Sequence, residues 1–252
     1  MIKKIILSTN ILAKIIFTST PRIDKSFRYR KVWDFCHLEK PKIIFDIACS
    51  NFKTINLFGS PQVVCGIDLD LDAMTLGIAR EKENSIKLIG VNTDFFNAKL
   101  HPSPVADLAV SLNTTSHFHT SLNYDFITLL NNFVKQGGSL VVDMPISYLS
   151  REVHNLIKGS YEEVDFFENW GWLTSQIDRF LLGENGKPRN WGYSWFWRFF
   201  VLFLISFDRI ICKVTRKYEY VLVIARKKKI ADIADYSNWI TEIKQENISI
   251  YE

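Results

Sequence analysis

From residue 41 onward the chain repeats one alternation, a short apolar run followed by a stretch of helical length. The runs at 42–47, 63–69, 86–91, 106–112 and 139–143 are each the length of a strand. Their near-continuous apolarity marks strands buried on both faces. Segments 70–83 and 122–134 predict helices between them, the second closed by Gly137-Gly138. Such β-α alternation specifies a parallel, doubly wound sheet. A late run at 219–225, ended by Arg226-Lys-Lys-Lys229, predicts one further strand. The expectation is an α/β fold with a mainly parallel sheet of about seven strands.

The flanks have a different rhythm. Ile2, Ile5, Ile6, Leu12, Ile15 and Ile16 recur at roughly helical spacing until Pro21, and a second helix is expected over 26–38. After Pro145 a helix is expected over 148–158, whereas 166–197 is aromatic, punctuated by Gly and Asn, and suits a loop-rich cap. A last amphipathic helix is expected over 230–245. The chain thus divides into an N-terminal helical extension (1–40), an α/β core (41–147), a cap insertion (148–218), and a last core strand with a C-terminal helix (219–252).

Composition narrows the classes. A chain of 252 residues, 47% apolar and 23% charged, suits one globular core and excludes disorder. A net charge of +4 without a basic and aromatic array gives no reason to expect a nucleic-acid partner. Cys36, Cys49, Cys65 and Cys212 are widely spaced and form no CxxC pair. They suit reduced thiols in a cytoplasmic protein, and no metal site is expected. Asn10 and Lys14 interrupt the N-terminal apolar run, so a signal peptide is not expected.

The candidate chemistry begins at Asp46-Ile-Ala-Cys-Ser-Asn-Phe52, directly after Ile43-Ile44-Phe45. A buried strand ending in an acid and a sharp turn is where nucleotide-like ligands sit in α/β sheets. Further along come Gly66-Ile-Asp-Leu-Asp70, Asn92-Thr-Asp-Phe-Phe96, Asp107 through Phe118, and Leu130 through Asp143 with its paired glycines. Taken in order over roughly 41–145 plus 219–226, this set resembles the class I S-adenosylmethionine (SAM) methyltransferases, whose fold is Rossmann-like. The resemblance implies SAM as cofactor and methyl transfer to O or N of a small-molecule acceptor, apolar or lipid-linked. It implies that Asp46, Ala48, Cys49 and Ser50 form the first loop and that Asp68, with Leu69 beside it, grips the ribose hydroxyls. A carboxylate suits a vicinal diol because it accepts two charge-assisted hydrogen bonds. Asp94 and Phe95 correspond to the residues that bind the adenine amino group and pack on its ring, and Asn113 lies on the loop facing the methyl donor. His117 follows the same strand, where an imidazole titrating near neutrality suits a general base. Asn113 is not followed by the Pro-Pro-aromatic of adenine or glutamine N-methyltransferases, which disfavours those substrates.

The departure from the family pattern lies in the first loop, where Ala48, Ser50 and Phe52 occupy the three glycine positions. Glycine there permits positive φ and close approach of the backbone to the ligand. Ala48 adds only a methyl group, Ser50 fits if its φ stays negative, and the Phe52 ring must point away from the methionine moiety or occupy its place. The alternative is a catalytically inactive, methyltransferase-like binding module or a membrane-surface interaction protein. A dinucleotide enzyme is disfavoured because a pyrophosphate needs a glycine-rich approach. Residues 195–213 hold the apolar run 199–205, too short to span a bilayer, flanked by Arg198, Asp208, Arg209 and Lys213. This segment is expected to form a cap helix, a dimer interface or a peripheral membrane contact, with Trp191, Tyr193 and Trp195 as candidate walls of an acceptor pocket.

Overall fold

The protein was analysed as a computed structural model that describes residues 23–81, 86–96, 105–169, 203, 207–208, 210–227 and 249–251. The expected helix over 230–245, the pocket walls Trp191, Tyr193 and Trp195, and most of the expected cap lie outside these residues. In chain order the elements are α1 (Ile23–Glu39), β1 (Ile43–Ile47), β2 (Val63–Asp68), α2 (Leu71–Glu81), β3 (Lys87–Asn92), β4 (Ala106–Ser111), α3 (Asn123–Phe133), β5 (Val134–Pro145), α4 (Arg151–Ser160), β6 (Glu163–Asn169), β7 (Tyr220–Arg226) and β8 (Ser249–Tyr251). They build one eight-stranded sheet in the order β6-β7-β5-β4-β1-β2-β3-β8. Strands β1 to β5 are mutually parallel, while β6, β7 and β8 pair antiparallel with their neighbours.

Alternating residues on each strand supply two cores. Ile44, Val64, Leu88, Val110, Val141 and Leu222 pack with Tyr29, Val32 and Phe35 of α1 and with Met74 and Ile78 of α2. Phe45, Cys65, Ile89, Ala109, Leu140 and Val223 pack on the other face with Phe126, Ile127 and Leu130 of α3 and with Val153 and Ile157 of α4. Helices cover both faces, which is why the central strands read as unbroken apolar runs. Because β1 to β4 run in one direction, their carboxyl ends gather Asp46, Asp68, Asn92 and Asn113 along a single edge of the sheet.

Three expectations change here. The glycine pair does not close the preceding helix, which ends at Phe133 and passes directly into β5. Gly137 instead takes φ +75° where the register of β5 against β4 shifts between Ala106 and Leu108. Residues 163–169, mostly assigned to the cap from sequence, form the edge strand β6 and belong to the sheet. At the opposite edge β8 adds three residues antiparallel to β3, a strand too short to leave an apolar signature. Among the described residues, no helix is long and apolar enough to cross a membrane.

Candidate cofactor site

The turn after β1 carries the decisive geometry. Ala48, Ser50 and Phe52 have φ of +59°, +49° and +56°. Every position that resembles a family glycine has therefore kept the left-handed backbone without the residue that adopts it freely. A left-handed conformation costs an L-residue roughly 1–2 kcal/mol, so the surrounding structure must impose it. Four hydrogen bonds do so. Ala48 N donates to Ile67 O at 2.8 Å and Phe52 N to Cys49 O at 2.9 Å. Ser50 N donates to Asp68 Oδ2 at 2.7 Å, and Thr54 Oγ1 to Asp46 Oδ2 at 2.7 Å. The negative φ under which Ser50 would fit without strain is therefore not adopted, and its N–H is held by Asp68 at the end of β2.

The Phe52 side chain turns into the core. Its ring is fully buried among the residues beneath α1 and α2. It lies against β2, where a Cβ built on Gly66 would meet Phe52 Cε1 and Cζ at 2.4 Å and Cys49 Sγ at 2.5 Å. Gly66 stands beside Asp46 in register, so the missing side chain makes room under the loop. A second close approach fixes the loop from α2, where a Cβ on Gly77 would meet Asn51 O at 2.5 Å. Arg80 Nη2 donates to that same carbonyl at 3.1 Å.

Asp46 is buried at the end of β1, and burial raises its carboxyl to about 7. The Thr54 hydrogen bond opposes the shift and the nearby Asp68 charge adds to it. Burial also pushes the Cys49 thiol up, reinforced by Asp46 and Asp68, so it stays neutral. Asp68 accepts from Asp70 N at 2.8 Å in addition to Ser50 N. An ionised carboxylate has about four acceptor sites, so these bonds leave capacity for a diol. Leu69 beside it is exposed. Asn92 Nδ2 donates to Asp68 O at 3.1 Å and Leu69 O at 2.9 Å, tying the ends of β2 and β3 together. Asp94 is half-buried, and its Oδ1 accepts from Phe96 N at 2.9 Å. The Phe95 ring meets Phe126 edge-on at 5.5 Å and lies 5.9 Å from Phe133. His117 is exposed on a 3-10 turn after β4. Among the described residues no cluster could hold a metal ion.

No protein-family model and no curated protein matches the chain. Solved structures do. An N-methyltransferase, NodS from Bradyrhizobium japonicum WM9 in complex with S-adenosyl-L-homocysteine, superposes with a TM-score of 0.54 at 11% identity, covering 87% of this chain and 98% of that one. TehB from Haemophilus influenzae superposes with a TM-score of 0.53 at 14% identity, covering 79% of this chain and 62% of that one. The chain has the class I methyltransferase fold.

Within this methyltransferase fold, one buried ion pair was not read from the sequence. Arg28 of α1 forms an ion pair with Asp143 of β5, both buried. Asn113 is enclosed by this pair. Its N–H donates to Asp143 Oδ1 at 2.6 Å, its Oδ1 accepts from Arg28 Nη2 at 3.2 Å, and its Nδ2 donates to Tyr29 Oη at 3.3 Å. Asn113 also has φ of +62°. Its amide is therefore turned toward Arg28 and Tyr29 of α1. Asp143 was legible only as the polar end of an apolar run, and Arg28 was one of several cations in a charged helix.

Proposed function

We propose that the protein binds SAM at the carboxyl ends of β1 to β4 and transfers its methyl group to O or N of a small-molecule acceptor. One observation carries this reading: Ala48, Ser50 and Phe52 hold the left-handed backbone of a glycine loop at the strain of three L-residues. Backbone strain of this kind persists where the surrounding structure over-determines it, and it clusters at ligand sites. Asp68 is assigned the ribose hydroxyls. The turn from Ala48 to Ser50 is assigned the methionine portion, Leu69 and Asp94 the adenine, and Phe95 the aromatic floor behind it. When bound, SAM supplies a methyl group on a sulfonium, open to in-line displacement by a nucleophile.

The chain's own part in that chemistry is alignment and proton transfer. Holding acceptor and donor in line contributes much of the acceleration in such a displacement. The Arg28–Asp143 pair fixes the loop after β4 through Asn113. His117, four residues further on an exposed turn, is assigned the proton of a hydroxyl or amine acceptor. The acceptor is read as apolar because the chain from residue 170 to 207 is rich in aromatic side chains. The free, buried cysteines suit a reducing, cytoplasmic setting. Calorimetric titration with S-adenosylhomocysteine tests the reading. Micromolar binding supports it, and a folded protein that gives no binding heat leaves the non-catalytic module in its place.

A further inference from the structure

The helix that precedes β7 presents its apolar side outward. Residues 210–215 are helical, as are Phe203, Phe207 and Asp208. Phe207, Ile210, Ile211 and Val214 follow the i, i+3, i+4, i+7 spacing of one helical stripe. A stripe of this kind ordinarily faces the core, yet Ile210 is 60% exposed and Val214 80%. Phe203, one turn earlier in the sequence, is 65% exposed. Among the described residues of this stretch, those that turn inward are Asp208 and Cys212, one turn apart and both buried. The Cys212 thiol lies 4.0 Å from Asp208 Oδ1. This polar pair anchors the helix by the face that a soluble amphipathic helix leaves in water.

The charge beside the outward stripe selects its occupant. Lys213 on the helix and Arg216 and Lys217 directly after its last turn are exposed, so the apolar stripe ends in a basic segment. A nucleic acid would satisfy the cations and leave the apolar stripe without a partner. Apolar side chains bordered by Lys and Arg match the boundary between acyl chains and anionic headgroups.

We propose that this helix is a docking surface for an anionic lipid bilayer. Phe203, Phe207, Ile210 and Val214 enter the acyl boundary, while Lys213, Arg216 and Lys217 meet the headgroups. The inference stands on this surface alone and holds whether or not the domain binds a cofactor.

Sedimentation of the full chain with lipid vesicles tests it. The chain is expected to co-sediment with vesicles of phosphatidylcholine and phosphatidylglycerol, and at least tenfold less with phosphatidylcholine alone. Phe207→Ser with Ile210→Ser is expected to abolish sedimentation. Both side chains are exposed, so an unchanged circular dichroism spectrum accompanies that loss. Lys213→Gln with Arg216→Gln is expected to weaken binding by roughly fivefold per charge. Failure to sediment with anionic vesicles, equal binding to both vesicle types, or a folded serine variant that binds like the parent would overturn the proposal. A stable dimer in vesicle-free solution that the serine variant dissolves would also overturn it, by assigning the stripe to a second copy.

Discussion

The ring of Phe52 occupies the space that a side chain on Gly66 would need, with Cε1 and Cζ both 2.4 Å from where that Cβ would stand. A glycine absent from the loop is matched by one in the neighbouring strand, and the ring is buried against it. Gly66→Ala forces Phe52, Cys49 and the backbone of β2 apart. Overpacking of this kind costs about 1–3 kcal/mol, and backbone involvement places the expected value toward the upper end. Phe52→Leu in the Gly66→Ala background should recover part of the loss. Urea denaturation of the two single variants and the double variant reads the coupling. Strict additivity would contradict the contact.

The left-handed loop predicts an unusual gain. Ser50→Gly removes the strain of φ +49° and restores the residue that favours this conformation. The entropy of a more flexible unfolded chain takes back roughly 0.5–1 kcal/mol of the relief. Net stabilisation of up to about 1 kcal/mol is expected, against clear destabilisation for the β-branched Ser50→Val. Thermal denaturation of both variants provides the comparison, and Ser50→Gly should melt no lower than the parent.

Asp46 makes stability depend on pH in a defined direction. Its carboxyl is raised from 3.8 to about 7 in the folded protein. Between those values the folded state holds a proton that the unfolded state has lost. Its contribution is therefore complete below the unfolded value, and it disappears as pH rises through about 7. Asp46→Asn keeps an acceptor for Thr54 and removes the titration. Denaturation midpoints measured across this range should decline for the parent and decline less for the variant. Parallel curves would contradict the assignment.

The architecture was legible because parallel strands covered on both faces leave strand-length apolar runs, here separated by segments of helical length. β1 to β4 fall within a residue or two of their expected places for that reason. Within the candidate site, the placement of the strand-end carboxylates was legible, because there a single residue type performs a local task. Asp46 and Asp68 lie at strand ends because a carboxylate there accepts hydrogen bonds from the loop. What could not be read was whatever depended on distant pairing. Nothing near Phe52 indicates that a glycine 14 positions later leaves room for its ring. Arg28 and Asp143 are 115 residues apart and meet only when α1 lies over β5. Gly137-Gly138 resembled a helix stop because local sequence does not distinguish a cap from a glycine at a register shift.

The buried Arg28–Asp143 pair predicts a strong and asymmetric response. Arg28→Met leaves the Asp143 charge buried without its cation, and breaking such a pair costs about 3–5 kcal/mol. Arg28→Met with Asp143→Leu should regain part of this, short of full recovery because Asp143 also accepts from Asn113 N. A double-mutant cycle by chemical denaturation measures the coupling. An Arg28→Met variant as stable as the parent would contradict the buried pair.

Asp68 carries the central claim, because it holds the loop through Ser50 N and is assigned the ribose hydroxyls. Calorimetric titration of S-adenosylhomocysteine into the parent, Asp68→Ala and Asp68→Asn is the most direct measurement. The account predicts a single micromolar site in the parent and none in Asp68→Ala. In Asp68→Asn, which retains an acceptor but lacks the charge, binding should weaken by at least roughly tenfold. A folded parent that gives no binding heat, or an Asp68→Ala variant that binds like the parent, would contradict it.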